Sequence, residues 1–241
     1  MGEEEGREPL RLSRRGGDSA SRSALEVDIQ IVSDVYADDV SFKKAEVTNF
    51  ADRLVREVEK KGTPICVGLD PRLDQIPLSI VKPLLARYGP TPETASKALL
   101  EFNVGIIDAV CDLVPVVKPQ IAFYEQFGFY GYLAFEETCK YAKSKGLMVI
   151  ADVKRGDIGT TAEAYANFFL GKVDVFGKKI RFIDVDAVTL NPYMGYDSLK
   201  PFLKEVHDGG KGIFVLVKTS NLSSGDLQDR GVEGDSKVFE M

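Results

Sequence analysis

The sequence predicts an α/β protein of the TIM-type (β/α)8 barrel family in which about five of the eight βα units are present. Short uninterrupted apolar runs alternate with amphipathic stretches, which is typical of a parallel sheet covered on both faces. Each apolar run is followed directly by polar or charged residues, and in a barrel these strand ends converge on one mouth. A doubly wound sheet would favour a glycine-rich first turn, but the sequence contains neither GxGxxG nor GxxxxGK(S/T).

The helices and strands are predicted from apolar spacing and from the residues that bound each segment. The first helix has apolar residues at helical spacing from Phe50 to Val58, between the capping signal Thr48/Asn49 and the stop signal Gly62. Further helices are expected at about 91–113, 129–145, 161–170 and 196–206. The strands are expected at 65–69, 114–117, 147–151, 187–190 and 213–217.

The residues best suited to chemistry follow the third predicted strand. Asp152 and Lys154 are two positions apart, so they point the same way at the strand end, and Asp157 lies in the loop beyond. Two carboxylates and an ammonium this close perturb each other's ionisation strongly. The alternative is a salt bridge that only supports the strand end, but a second lysine, Lys118, ends the neighbouring strand and favours function. Because His207 is the only histidine, the acid or base must be a lysine, a carboxylate or a tyrosine.

Composition restricts the remaining classes of function. The net charge of −6 and the pI near 5.1 argue against a nucleic-acid partner. No stretch approaches the roughly 18 apolar residues of a membrane span, so no membrane partner and a cytoplasmic location are expected. Cys66, Cys111 and Cys139 lack metal-ligand spacing, and we expect three buried, reduced thiols and no metal site.

The run VIADVKRGDIGTT at 149–161 resembles the signature of orotidine 5'-phosphate decarboxylase. Other motifs extend the resemblance over roughly residues 49–241 and are similar to the longer-chain, bacterial-type branch of that family. They are VGLDP at 67–71, VKPQ at 117–120, FYE at 123–125, TLNPY at 189–193 and KTSN at 218–221.

This resemblance implies decarboxylation of orotidine 5'-monophosphate to UMP in de novo pyrimidine biosynthesis, without metal or other cofactor. It implies that Lys154 protonates C6 of the pyrimidine as carbon dioxide leaves, with Asp152 against the substrate carboxylate. Lys118 and Asp157 would complete an alternating charge network. Asp157 would reach into the partner's site, which implies a homodimer with shared active sites.

The resemblance also implies which residues bind the nucleotide. Asp70 and Lys118 would bind the ribose hydroxyls, Ser220 the edge of the pyrimidine, and Thr161 the phosphate. The family closes its barrel with three further units, which bring a PGxGxQGG-like phosphate loop and an arginine. Neither occurs in this sequence, so we expect the chain alone to be weakly active or inactive.

Two regions are expected along the chain. Residues 1–46 have little apolar periodicity and are expected to be a disordered or non-native extension, whereas 47–241 would form an incomplete barrel decarboxylase domain. Two alternatives to the decarboxylase remain open. One is a non-catalytic fragment that only binds nucleotides or a partner protein, and the other is a magnesium-dependent sugar-phosphate decarboxylase or aldolase of the same superfamily.

Overall fold

The computed structural model describes residues 48–232 and 236–240, so the predicted extension at 1–46 lies outside the described residues. The strands are β1 (Cys66–Leu69), β2 (Val116–Pro119), β3 (Met148–Arg155), β4 (Val173–Val175), β5 (Lys178–Ile180), β6 (Ala187–Leu190) and β7 (Gly212–Val215). The helices are α1 (Phe50–Lys61), α2 (Leu78–Tyr88), α3 (Pro92–Val110), α4 (Ala122–Glu125), α5 (Gly128–Ser144), α6 (Gly159–Phe169) and α7 (Tyr196–Gly209). Short 3-10 turns occur at Leu73–Gln75, Leu222–Asp226 and Val238–Glu240.

Five of these strands form one parallel sheet in the order β1-β2-β3-β6-β7, which confirms the predicted parallel strands. The antiparallel hairpin of β4 and β5 was not predicted, and its turn contains positive φ angles at Phe176 and Gly177. Helix α2 was also missed, because it follows Pro77 and contains Pro83, a residue that normally ends helices. No helix in the described part of the chain is long and apolar enough to cross a membrane.

Most of the core lies between the outer face of the sheet and the helices packed against it. Residues of one face of β2, β3 and β6 join large side chains from the helices in one buried cluster. Its members include Val117, Val149, Ala151, Val188, Leu190, Leu99, Phe135, Phe169 and Phe202. The strand residues alternate with a second set on the inner face, because successive side chains of a strand point to opposite faces. That inner cluster consists of Phe50, Val116, Met148, Ile150 and Ala187.

Helix α1 covers the inner cluster. It begins where the Asn49 side chain accepts the Asp52 N–H at 2.9 Å and ends at Gly62, whose φ of 68° is left-handed, as the sequence predicted. Phe50 packs directly on Gly212, where an added Cβ would lie 2.5 Å from the phenyl ring. The glycine at the start of β7 therefore leaves room for the aromatic ring under the sheet.

A buried carboxylate, Asp186, ties three elements together beside this cluster. Its side chain contacts Arg53 Nη1 of α1 at 2.7 Å and Lys143 Nζ of α5 at 3.1 Å. It also accepts the backbone N–H of Val149 in β3 at 2.9 Å. Burial raises the pKa of this carboxyl, but the charge of Lys143 and the bonds from Arg53 and Val149 outweigh it, so the pKa lies below its usual range.

The prediction that all three cysteines are buried is wrong for two of them. Cys139 is buried, but Cys66 is exposed and Cys111 is only partly covered. Cys66 pairs with Val116 on the inner face of β1, and β1 has a neighbouring strand on one side only within the described residues. Cys111 follows the last residue of α3, where the chain leaves the packed helix.

Candidate active site

The carboxyl ends of β1, β2 and β3 bring four predicted site residues together. Lys154 Nζ lies 2.5 Å from Asp152 Oδ1, and Lys118 Nζ lies 3.4 Å from Asp152 Oδ2. Lys118 Nζ is also 4.0 Å from Asp70 Oδ1. The order Lys154, Asp152, Lys118, Asp70 is therefore a chain of alternating charges.

Asp152 is the centre of this network and the most enclosed of its members, with 7% of its surface exposed. A carboxylate so buried needs hydrogen-bond donors, and each oxygen has two. Besides the two lysines, Thr189 Oγ1 donates to Oδ1 at 2.8 Å and Gln120 Nε2 donates to Oδ2 at 2.9 Å. Burial raises the pKa of Asp152, but the hydrogen bonds from Lys154 and Thr189 and the charges of both lysines lower it below its usual value.

The carboxyl end of β3 is irregular where it carries these residues. Ala151 pairs with Val188 of β6 and Arg155 with Leu190, so the three residues of β3 between them lie opposite Thr189 alone. This is a bulge, a feature that redirects side chains and is common beside active sites. Lys154 has a φ of 45°, in the left-handed region that residues with a Cβ rarely occupy. Strand β3 also runs four residues beyond its predicted end at Ala151.

Arg155 fixes the bulge from the opposite side. Its guanidinium donates to Glu125, and it donates to the hydroxyl of Tyr132 at 3.1 Å and to the carbonyl of Val153 at 3.2 Å. It lies over the ring of Tyr165 at 5.4 Å from the centroid. Through these contacts Arg155 links the end of β3 to α4, α5 and α6.

Three predicted site residues are not joined to this network by any hydrogen bond or ion pair within the described ranges. Asp157 lies in the loop after β3, where its Oδ1 accepts the N–H of Ile158 at 2.8 Å. Thr161 is exposed in the first turn of α6, and Ser220 is exposed after β7. All three lie at loops or helix starts that follow the carboxyl ends of strands, on the same edge of the sheet as Asp152.

Sequence reasoning missed Gln120 and Thr189 as members of the site. Gln120 follows Lys118 by two positions, so strand alternation alone places it on the same side. Thr189 is a hydroxyl residue between apolar residues of β6. Whether its hydroxyl takes part in the site depends on which residues of β3 lie opposite it. In residues 48–232 and 236–240, no group of three or more His, Cys, Asp or Glu residues is arranged to hold a metal ion.

A parallel β/α sheet whose carboxyl edge carries alternating lysines and aspartates has the architecture of a barrel-type α/β enzyme. The chain belongs to the orotidine 5'-phosphate decarboxylase / HUMPS family, whose profile matches residues 63–239. An orotidine 5'-phosphate decarboxylase of Caldicellulosiruptor saccharolyticus is 44% identical over 193 residues, covering 80% of this chain and 63% of that protein. One from Petrotoga mobilis is 46% identical over 177 residues, covering 73% of this chain and 55% of that protein.

A solved structure supports the same conclusion. The structure of Leishmania donovani OMP decarboxylase is 33% identical with a TM-score of 0.59, covering 80% of this chain and 62% of that one. Together with the five parallel strands, this likeness confirms the predicted barrel-family fold with about five βα units. The chain spans less than two thirds of the length of the curated relatives described above.

Proposed function

We propose that this chain carries the catalytic centre for decarboxylation of orotidine 5'-monophosphate to UMP, with Lys154 as the proton donor and no metal. The observation that carries the proposal is the Lys154–Asp152–Lys118 network, in which a buried aspartate lies 2.5 Å from Lys154 Nζ. The lowered pKa of Asp152 keeps the carboxylate ionised at neutral pH. The names of the relatives, all orotidine 5'-phosphate decarboxylases, support the same substrate.

The chemistry follows from these charges. A substrate carboxylate about 4 Å from Asp152 would be repelled by roughly 4 kcal/mol at an effective dielectric constant near 20. Breaking the bond between C6 and this carboxylate releases neutral carbon dioxide, which removes the repulsion and leaves the electron pair on C6. Lys154 Nζ then gives a proton to C6, which completes UMP.

The other predicted residues are proposed to bind the rest of the nucleotide. Asp70 and Lys118, already linked at 4.0 Å, would bind the ribose hydroxyls. Ser220 would bind the pyrimidine edge. Thr161 would bind the phosphate, and its place in the first turn of α6 supports this role because backbone N–H groups at a helix start favour anions.

We also propose that the protein forms a homodimer with shared sites and acts in the cytoplasm. Asp157 would reach the partner's site, and its place in the loop after β3, outside the charge network, leaves its carboxylate available for that contact. Three free cysteines without a disulfide suit a reducing compartment.

The test is the loss of orotidine 5'-monophosphate absorbance with the purified 241-residue chain. We expect Lys154→Ala to lower turnover at least ~100-fold, since a positioned acid commonly contributes that much. Lys145→Ala is the matched control, because Lys145 is paired with Asp108 and precedes β3, at the opposite end of that strand from Asp152. Turnover should persist in the presence of a chelator, whereas loss of turnover there would favour the magnesium-dependent alternative.

Two results would contradict the proposal. Near-normal turnover by Lys154→Ala would remove Lys154 as the acid. No turnover by the unaltered chain is the outcome expected if the phosphate loop and arginine that the sequence lacks are required. It would favour a non-catalytic fragment of this family, since the chain covers 63% of its relative's length. Calorimetric titration with UMP then decides whether such a fragment still binds the nucleotide.

A further inference from the structure

Thr189 of β6 is the single residue that lies opposite the bulge of β3. Its Oγ1 accepts the backbone N–H of Val153 at 3.0 Å and that of Lys154 at 2.9 Å. The bulge takes these two N–H groups out of the regular ladder, so the hydroxyl replaces the carbonyl acceptor that a regular strand would supply.

The same oxygen also fixes the direction of its own proton. A threonine hydroxyl has one proton to donate and two lone pairs that accept. Both lone pairs are used by the two backbone N–H groups, so the proton is left for Asp152 Oδ1, which lies 2.8 Å away. The hydroxyl can therefore only donate to Asp152, and a donor held in this direction favours the ionised carboxylate.

The backbone of Lys154 needs such support. Its φ of 45° is unfavourable for a residue with a Cβ, and conformations of this kind persist only where the surroundings hold them. The bond from the Lys154 N–H to Thr189 is one such restraint, and the Lys154 ammonium on Asp152 is another. The Thr189 side chain thus binds both the main chain of Lys154, the proposed acid, and the carboxylate of Asp152, which pairs with that lysine.

We propose that Thr189 is a positioning residue of this site, which holds the bulge of β3 so that Lys154 and Asp152 meet in a fixed geometry. The inference rests on the proposed function, because it concerns the same pair of residues. It adds a residue from β6 that does not itself transfer a proton. Its hydroxyl, rather than its size, is the feature that matters.

The test compares Thr189→Val, which keeps the shape and removes the hydroxyl, with Thr189→Ser, which keeps the hydroxyl. In the full chain, the titration of the Asp152 carboxyl is followed by ¹³C NMR and the exchange of the Val153 and Lys154 amides by ¹⁵N NMR. We expect Thr189→Val to raise the titration midpoint of Asp152 and to speed exchange of both amides roughly tenfold, as for the loss of a hydrogen bond. Thr189→Ser should resemble the unaltered chain.

The amides of Val149 and Ala151, earlier in β3, are the internal control and should keep their exchange rates. If Thr189→Val fails to fold, Thr189→Ala supplies a smaller variant without the hydroxyl. Unchanged titration and exchange in the hydroxyl-free variant would overturn the inference, and so would a serine variant that behaves like valine.

Turnover measured on the same samples separates this inference from the proposed function. If the chain is active, Thr189→Val should lower kcat at unchanged KM, and Thr189→Ser should restore it. If turnover depends on Lys154 but the Asp152 titration is unaltered in Thr189→Val, the role of Thr189 is overturned and the proposed reaction stands. If Thr189→Val changes the Asp152 titration as expected but the unaltered chain shows no turnover, the proposed reaction is overturned and the geometric role of Thr189 holds.

Discussion

Lys154 Nζ lies 2.5 Å from Asp152 Oδ1. The two residues are only two positions apart, and both belong to the bulge that β3 forms against β6. The aspartate is buried, whereas 46% of the lysine side chain is exposed. The pair therefore has a fixed, enclosed carboxylate and an ammonium that reaches it from the open side. Of the two residues, the lysine is the one that is open to solvent.

Replacing Lys154 should change how Asp152 titrates. Burial raises the pKa of Asp152, and the hydrogen bond and charge of Lys154 are among the effects that lower it. In Lys154→Met, we therefore expect the Asp152 pKa to rise towards or above the ordinary value of about 3.9. Carboxyl ¹³C titration of the full chain measures this shift. Lys145→Met should leave the midpoint unchanged, and an equal midpoint in both variants would contradict the prediction.

Removing the buried carboxylate of Asp186 should destabilise the fold. Asp186→Ala leaves Arg53, Lys143 and the Val149 N–H without their common acceptor. We expect a loss of about 3 kcal/mol in the free energy of unfolding, the low end for a broken buried pair, because both cations still reach water. Urea denaturation measures it. Asp108→Ala, which breaks an exposed pair with Lys145, should cost much less, because surface ion pairs contribute little to stability.

The contribution of Asp186 should depend on pH in a defined direction. Its pKa in the folded chain lies below the usual range, so it contributes stability above the unfolded value of about 3.9. That contribution is lost as the pH falls through the lower, folded-state pKa. We expect the difference in unfolding free energy between the unaltered chain and Asp186→Asn to shrink below about pH 4. A difference that stays constant from pH 7 into this range would contradict the assignment.

A methyl group at Gly212 should disturb the packing of α1 under the sheet. The added Cβ would lie 2.5 Å from the ring of Phe50 and 3.1 Å from the Cβ of Ala187. We expect Gly212→Ala to cost about 1–3 kcal/mol, as overpacking of a core does. Phe50→Leu in the same chain should recover part of that loss, and a double-mutant cycle from urea denaturation measures the coupling. Strictly additive effects would show that the ring is not the obstacle.

The hydroxyl of Tyr124 should stabilise the end of β1. It accepts the amide of Asn103 at 2.8 Å and donates to the carbonyl of Leu69 at 3.3 Å, next to Asp70. In Tyr124→Phe the buried amide loses an acceptor, so we expect a loss of about 1–2 kcal/mol in thermal or urea unfolding. Tyr141→Phe is the control, because its hydroxyl is on the surface and contacts Asp108. Equal losses in both variants would argue against a special role for the buried bond.

The parallel sheet could be predicted because buried parallel strands are continuous apolar runs, and β2, β3 and β6 are such runs. Asp152 and Lys154 could be predicted because they follow one of these runs at alternate positions. The bulge could not, because it depends on the register between β3 and β6, which lie 35 residues apart at Lys154 and Thr189. The exposure of Cys66 was missed for a related reason, since an apolar run does not reveal that, in the described part of the chain, its strand pairs on one side only.

The roles of Asp157, Thr161 and Ser220 stay predictions. Each lies on a loop or helix start at the carboxyl edge, and the groups that they would bind are a nucleotide or a partner subunit. Each of these residues would therefore act through a contact to a second molecule and not through a hydrogen bond within the chain. Asp70 and Lys118 differ from these three residues, because they are already in contact with each other within the chain. Their proposed ligand, the ribose, would bind to this preformed pair.

The strand order β1-β2-β3-β6-β7 also has a consequence for synthesis on the ribosome. Each strand of the sheet after β1 pairs with one that was made before it, so the sheet can grow in one direction as the chain emerges. Lys118 and Asp152 are 34 residues apart, and Thr189 follows Lys154 by a further 35. The charge network therefore assembles in stages, and Lys154 acquires its restraint from Thr189 only after β6 has left the exit tunnel and docked on β3.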